Sequence, residues 1–422
     1  MAPESSTPRP PALPDPRLLA ILQTQPGYNA IRALLALTHP DRAARQPAID
    51  AIGEIDWTRI PGLARRHRVV VQLAAGLRRM RLAGLPADTR ETLKAAADQR
   101  VRRSLATLDR LRAMLTDLQT AGIPVATFKG IGLSLSLYDD PCRRDPGDID
   151  LIVPAERIHD ACAVLARHGV NARTLDRPLL DNPRQRRRLL RVGSALTMES
   201  DRGTGVDLHW RWSRNPHLPR LDPARVWSVA GVSLGQESIP VPDPVEHLVY
   251  LAVHGLHHGW SHLKWVTDLR QVLHDPAWIG GDWQALMDRA RALGAARAVA
   301  ASLQLAAWVD GTPLPAPVAA CLAGDRRTAE FARAVADRFA AGFTDPSPEL
   351  ANPSIGQMLK EFRGEWLIGE SAAARWNGLV VRRLLTPTER DLRALDLPEW
   401  AEPAYFALRP LLWSARMIRG RS

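Results

Sequence analysis

The stretch that decides the fold is Gly147-Asp148-Ile149-Asp150-Leu151-Ile152-Val153, closed by Pro154. It has the length and composition of a strand, and the proline stops it. Side chains alternate faces along a strand, so Asp148 and Asp150 share one face while Ile149 and Leu151 enter a core. Upstream, residues 123–128 are short, apolar and partly β-branched, and residues 130–137 are helix-compatible. Residues 139–147 carry Pro141, Pro146 and Gly147 as a loop. A strand, helix, strand unit is the simplest reading.

Working outward, residues 192–199 and 206–212 are β-like runs joined by Ser200-Asp201-Arg202-Gly203-Thr204-Gly205, which reads as an antiparallel hairpin. Alternation in the second run puts Asp207, His209 and Arg211 on one face, with Val206, Leu208 and Trp210 on the other. A further Pro-punctuated hairpin over 226–241 leads to Pro242-Asp243-Pro244, a helix-start signal, and helical texture then runs almost to the end. Residues 155–168 are helical. The basic stretch 176–191 places Arg184, Arg186, Arg187 and Arg188 on a solvated helix or loop. Before Gly122, apolar residues recur at helical spacing, as in Leu105, Leu108, Leu111, Leu115 and Leu118, with breaks at Pro61-Gly62 and Gly84 to Pro86. The expected class is α+β: a small mixed sheet at 122–242, a helical region at 17–121, another at 243–422, and a flexible lead-in at 1–16.

Composition sets the outer limits. Hydrophobic residues at 45% and charged residues at 24% of 422 exclude a wholly disordered or fibrous chain. The net charge of +11 favours anionic ligands. Only four basic residues are lysines against 52 arginines, which together with the many alanines reads as a GC-rich bacterial coding bias; surface chemistry explains most of the arginine. Cys142, Cys162 and Cys321 are far apart and form no Cys-x-x-Cys pair, which argues against a disulfide framework or a cysteine zinc site and fits a reducing cytoplasm. The proline-rich start lacks the apolar segment of a signal peptide. No apolar run approaches the roughly 18 residues that span a bilayer.

Two like charges on one strand face repel unless a cation lies between them, so Asp148 and Asp150 predict a divalent-metal site, most naturally Mg²⁺ or Mn²⁺ with oxygen ligands. Asp207 offers a third carboxylate. Three strand-borne carboxylates can hold two ions about 3.5 to 4 Å apart, the arrangement that activates an attacking hydroxyl and neutralises a leaving pyrophosphate. Lys129-Gly130, where a strand enters a helix, and Arg144 could receive a triphosphate. Each has a bland alternative: a strand-end Asp-x-Asp, a solvated lysine, and a loop ion pair of Arg144 with Asp145 worth about 0 to 1 kcal/mol. His209 reads as a hydrogen-bonding group behind the carboxylates rather than a ligand.

Phe128-Lys129-Gly130, Leu137-Tyr138, Arg144, the run 147–153 and Val206-Asp207-Leu208-His209-Trp210 together resemble the bacterial family labelled uncharacterised nucleotidyltransferase, within the DNA polymerase β-type superfamily. The resemblance covers roughly residues 122–273 and extends through His254, His258 and Leu263-Lys264-Trp265-Val266-Thr267-Asp268-Leu269. It implies a mixed sheet with Asp148 and Asp150 as metal ligands and Asp207 as the third carboxylate, orienting or deprotonating an acceptor. It also implies that Lys129-Gly130 replaces the superfamily's Gly-Ser signature: Gly130 precedes Asp148 by 18 residues, and the nearest serines, Ser134 and Ser136, fall inside the expected helix. The reaction expected is transfer of a nucleoside monophosphate from a triphosphate to a hydroxyl of a small molecule, peptide or RNA. The alternative is a nucleotide-binding or scaffold protein without turnover.

His254, His258 and His262 would share one side of a continuous helix, a spacing able to bind zinc and the basis of a third expectation, a His-ligated zinc hydrolase. No Glu lies between them as in His-Glu-x-x-His, and Gly259 and Ser261 predict a helix end before His262. The expected helix pair covers the sheet edge, bringing His254 or Lys264 toward the acceptor or phosphates. At residues 408–422 a basic amphipathic helix is expected to pack its apolar side on the domain.

Overall fold

The computed structural model describes residues 15–343 except 79, 81, 83, 146, 174–179, 202, 214–228 and 325, and then 366, 370, 375–376, 386–387, 391–392, 395 and 397–419. The lead-in up to residue 14 and the first residues of the two stretches expected at 176–191 and 226–241 lie outside the described residues.

Local signals set the helix starts. Helix α1 (Pro16–Leu22) has Asp15 as its cap and proline in the first turn, and α2 (Tyr28–Leu37) follows Gly27. Then come α3 (Arg42–Asp50), capped by Asp41, α4 (Ile60–Arg66), α5 (Val70–Leu77) and the 34-residue α6 (Ala87–Thr120). Helix α6 belongs to two interiors. Its Leu93 and Ala97 face the helical core, and its Leu108, Leu111, Met114, Leu115 and Leu118 face the sheet core. Leu105, part of the expected stripe, instead stands 47% exposed.

The sheet unit contains β1 (Ala126–Thr127), α7 (Gly130–Tyr138), β2 (Ile149–Ile152), α8 (Ile158–Ala166), β3 (Val170–Ala172), α9 (Pro183–Val192), β4 (Ala195–Ser200) and β5 (Val206–His209). Its strand order is β1-β2-β5-β4-β3. Only β2 and β5 run parallel, which makes the sheet mixed; β1 lies antiparallel to β2 despite the helix between them. The expected hairpin forms between β4 and β5, with Thr197 opposite Asp207. Alternation holds as read: Ile149, Leu151, Val206, Leu208 and Trp210 all enter the sheet core.

Strands β6 (Val229–Leu234) and β7 (Glu237–Pro242) form a separate hairpin. The remaining helices are α10 (Pro244–His257), α11 (Leu263–His274), α12 (Trp283–Ala292), α13 (Ala296–Asp310), α14 (Ala316–Ala323), α15 (Arg326–Ala341) and α16 (Ala404–Arg419). Asp243 caps α10 by accepting from the Val245 and Glu246 amides, with Pro244 in the first turn, as the Pro242-Asp243-Pro244 signal required.

Helices from before and after the sheet unit share one apolar interior, running from Leu18 and Leu34 to Leu303 and Phe339. Arg270 of α11 clasps them. It pairs with Asp310 at 2.5 Å and donates to the Leu35 carbonyl at 3.1 Å and to Thr38 Oγ1 at 3.2 Å. His274 and His39 also face Asp310.

One expectation on the basic stretch needs correcting. Arg188 of α9 is not solvated but 4% exposed, paired with Glu402 at 2.9 Å and lying over the Tyr405 ring. Its turn of α9 faces the C-terminal segment, whereas Arg184 and Arg187 are exposed as expected.

Candidate active site

Parallel pairing of β2 with β5 sets Asp150 abreast of Asp207, and Ile152 abreast of His209. Asp150, Asp207 and His209 bring ligand atoms within 4.8 Å of one another. Asp148, one residue before β2 on the same face, opens to solvent at the rim. Burial and repulsion from Asp207 and Asp150 push its carboxyl pKa up.

Lys129 ends in this cluster, its Nζ 2.6 Å from Asp150 Oδ1. Burial alone would raise the Asp150 pKa, but Lys129 and His209 outweigh it and hold the carboxyl down at about 2. Burial likewise opposes the Lys129 charge, and Asp150, Tyr250 and Asp207 outweigh it, so the ammonium stays above its ordinary range. Lys129 is thus committed to the acids. Gly130 makes the turn into α7 at φ +51°, where a Cβ would lie 3.3 Å from the Asp148 carbonyl oxygen. The His247 ring donates from Nε2 to the Phe128 carbonyl, anchoring the residue before Lys129.

Around the acids, Tyr250 Oη lies 3.2 Å from His254 Nδ1, the two rings stack, and His254 meets His258 with centroids 4.5 Å apart. Burial, with Lys129 next, drives the His254 pKa well below its usual value, leaving a neutral ring. Helix α10 ends at His257, and Trp260 at φ +53° turns the chain before α11, so the helix breaks ahead of His262 as read. Among the described residues, His254, His258 and His262 do not gather into a metal-binding group. Lys264 lies over the Trp265 ring. Burial, then the charges of Arg68 and Arg144, push its pKa down to about 7.

Arg144 faces elsewhere. It is buried and binds Asp268 through Nε to Oδ1 and Nη2 to Oδ2, both at 2.9 Å, and Tyr138 Oη donates to the same carboxylate. Asp145, its sequence neighbour, pairs instead with Arg100 at 2.7 Å. The two helix serines are also engaged: Ser134 Oγ donates to the Asp140 carbonyl and accepts from the Arg144 amide, while Ser136 Oγ accepts from Trp278 Nε1.

Two groups near the acids carry no mark in the sequence. Tyr250 closes over Lys129 from α10, and Arg68, after α4, comes within 3.6 Å of where a Cβ on Gly147 would stand. Nothing local distinguishes Arg68 from 51 other arginines.

The donor set fits a hard divalent cation. Asp207 Oδ1 is buried and without a hydrogen-bond partner among the described residues, which leaves a carboxylate oxygen to take such an ion, while the His209 ring, its Nε2 3.4 Å from Asp150 Oδ1, has its pKa lowered by burial. Among the described residues no helix is long and apolar enough to cross a membrane. A family model described as uncharacterised nucleotidyltransferase matches residues 53–310, more than half of the chain. No curated protein and no solved structure matches.

Proposed function

We propose, from the premise that the chain belongs to the uncharacterised nucleotidyltransferase family, that it transfers a nucleoside monophosphate from a triphosphate to an acceptor hydroxyl, releasing pyrophosphate. The observation that carries this is the pairing of Asp150 with Asp207 on parallel strands, with Asp148 at the rim and Asp207 Oδ1 unsatisfied. Asp148, Asp150 and Asp207 would hold Mg²⁺ or Mn²⁺, two ions in the full arrangement, which would supply charge neutralisation on phosphate and a lowered hydroxyl pKa. Asp207, whose Oδ1 has no other partner among the described residues, orients the acceptor hydroxyl and takes its proton. Lys129 limits the net negative charge that an incoming triphosphate meets at Asp150. Gly130 keeps the backbone close to Asp148. Arg144 acts from behind, holding Asp268 under the start of α11. His209, His254 and His258 would stand on the acceptor side, where the rings of His209 and His254, driven toward neutrality by burial, suit a hydroxyl-bearing small molecule, peptide or RNA end.

The test is pyrophosphate release from each of the four triphosphates with Mg²⁺ or Mn²⁺, parent against Asp148→Ala. Release by the parent and its loss in the variant is expected; a variant as fast as the parent refutes the assignment. A second reading, nucleotide binding without turnover, draws on the Lys129 ammonium 2.6 Å from Asp150 and the structural commitment of Ser134 and Ser136. Calorimetric nucleotide binding with no pyrophosphate across varied acceptors favours it.

A further inference from the structure

Helix α4 ends in a Schellman turn. The Val69 amide donates to the Ala64 carbonyl at 3.0 Å and the Arg68 amide to the Arg65 carbonyl at 3.2 Å, leaving Arg68 at φ +54°. Glycine is the ordinary residue there, because a Cβ is strained in the left-handed region. An arginine kept at such a place points to a use for its side chain. That side chain is exposed and has no hydrogen bond or ion pair among the described residues. It reaches over Gly147, near enough to Asp148 and Lys264 to act on both electrostatically.

The turn is also latched onto α11. His67 Nδ1 accepts from the Leu263 amide at 3.1 Å, and the His67 carbonyl accepts from the Lys264 amide at 3.2 Å. One residue therefore fixes the start of the helix that carries Lys264, and the next residue carries Arg68. Lys264 also lacks an ion pair among the described residues. Arg68 beside Gly147 and Lys264 behind it oppose each other's charge, and neither has a carboxylate partner of its own among the described residues, which is an arrangement that a polyanion relieves.

We propose that Arg68 and Lys264 form a slot for the β- and γ-phosphates of the nucleotide, so that the N-terminal helical region completes the nucleotide site from outside the sheet unit. The slot takes the place of the Gly-Ser signature, since Arg144 is bound to Asp268 and Lys129 to Asp150. The shared chemistry is a chain of phosphate groups, and the acceptor does not enter it. This inference rests on the nucleotidyltransferase reading for the nucleotide, but its test does not require turnover.

The experiment is calorimetric binding of inorganic tripolyphosphate, with and without Mg²⁺, to the full-length chain and to Arg68→Gly, Arg68→Lys and Lys264→Gln, with thermal midpoints measured in parallel. Arg68→Gly removes the cation while relieving the backbone, so it should bind roughly tenfold or more weakly yet melt no lower than the parent. Arg68→Lys should keep part of the affinity, and Lys264→Gln should lose a similar factor. Arg68→Gly binding within twofold of the parent overturns the slot, even if the enzyme turns over. Arg68-dependent binding of a phosphodiester dinucleotide but not of tripolyphosphate also overturns it, because the cations then serve a backbone phosphate. Tripolyphosphate binding that depends on Arg68, in a chain that never releases pyrophosphate, sustains the slot while the transferase reading falls.

Discussion

Replacing Arg144 with methionine separates its structural role from the phosphate contact that its place in the sequence suggested. Its guanidinium makes two parallel 2.9 Å bonds to Asp268, with the two side chains 7% and 1% exposed. Arg144→Met would leave the Asp268 carboxylate buried with only the Tyr138 hydroxyl as a polar partner in place of the cation. Removing one member of a buried pair costs about 3 to 5 kcal/mol, which in a chain of this length lowers the melting midpoint by about 3 to 6 °C. Arg144→Met/Asp268→Leu removes both charges and should recover most of that loss, because the penalty lies in the orphaned carboxylate rather than in the missing bond. Arg144→Lys, keeping the charge without the fork, should fall between. The assay is thermal or urea denaturation of the four proteins, with the nucleotide KM measured beside it. A single Arg144→Met variant that melts with the parent while its nucleotide KM rises would refute the structural assignment and return Arg144 to the phosphates.

Other outcomes follow from the same geometry. Gly130→Ala places a Cβ at φ +51° and 3.3 Å from the Asp148 carbonyl oxygen, and should cost about 1 to 2 kcal/mol and at least tenfold in pyrophosphate release; full activity would show that this approach is not needed. Asp207→Asn keeps the shape and hydrogen-bonding capacity but loses the charge that would bind metal and take a proton, so Mn²⁺ affinity measured by calorimetry should drop at least tenfold with little change in melting; unchanged Mn²⁺ binding would remove Asp207 from the ligand set. Burial holds His67 and His247 neutral, with pKa values pushed down to about 3 and about 4 from 6.5. The unfolded chain therefore binds more protons below pH 6.5, so their contribution is intact above that pH and falls as acid is added, by about 1.4 kcal/mol each at pH 5.5. His67→Asn, whose amide oxygen can replace the Nδ1 acceptor, should flatten the decline in melting midpoint from pH 7 to 5; a profile parallel to the parent's would contradict the neutral buried ring.

What the sequence makes legible is local. The faces of Asp148, Asp150, Asp207 and His209 follow from period-two alternation inside single strands, and the break before His262 follows from the glycines around Trp260. What could not be read was pairing at a distance. Arg144 meets Asp268 across 124 residues, and Arg188 meets Glu402 across 214, so nearest-neighbour reasoning offered Asp145 to the first and water to the second. Tyr250 and Arg68 were silent for the same reason, since a tyrosine on a core helix and one arginine in a chain rich in them carry no signature of what they will face. Lys129 was legible as a special residue because lysine is scarce here, but not as the partner of Asp150.

The Arg270 clasp has a consequence for biosynthesis. Its bond to the Leu35 carbonyl joins residues 235 positions apart, so the binding partner of the first helices does not exist when they leave the ribosome. At elongation rates of about 5 to 20 residues per second, their oily faces wait roughly 10 to 50 seconds for the segment that covers them. Apolar surface uncovered for that long is prone to misassembly, so the order of synthesis sets a window that the finished fold does not show.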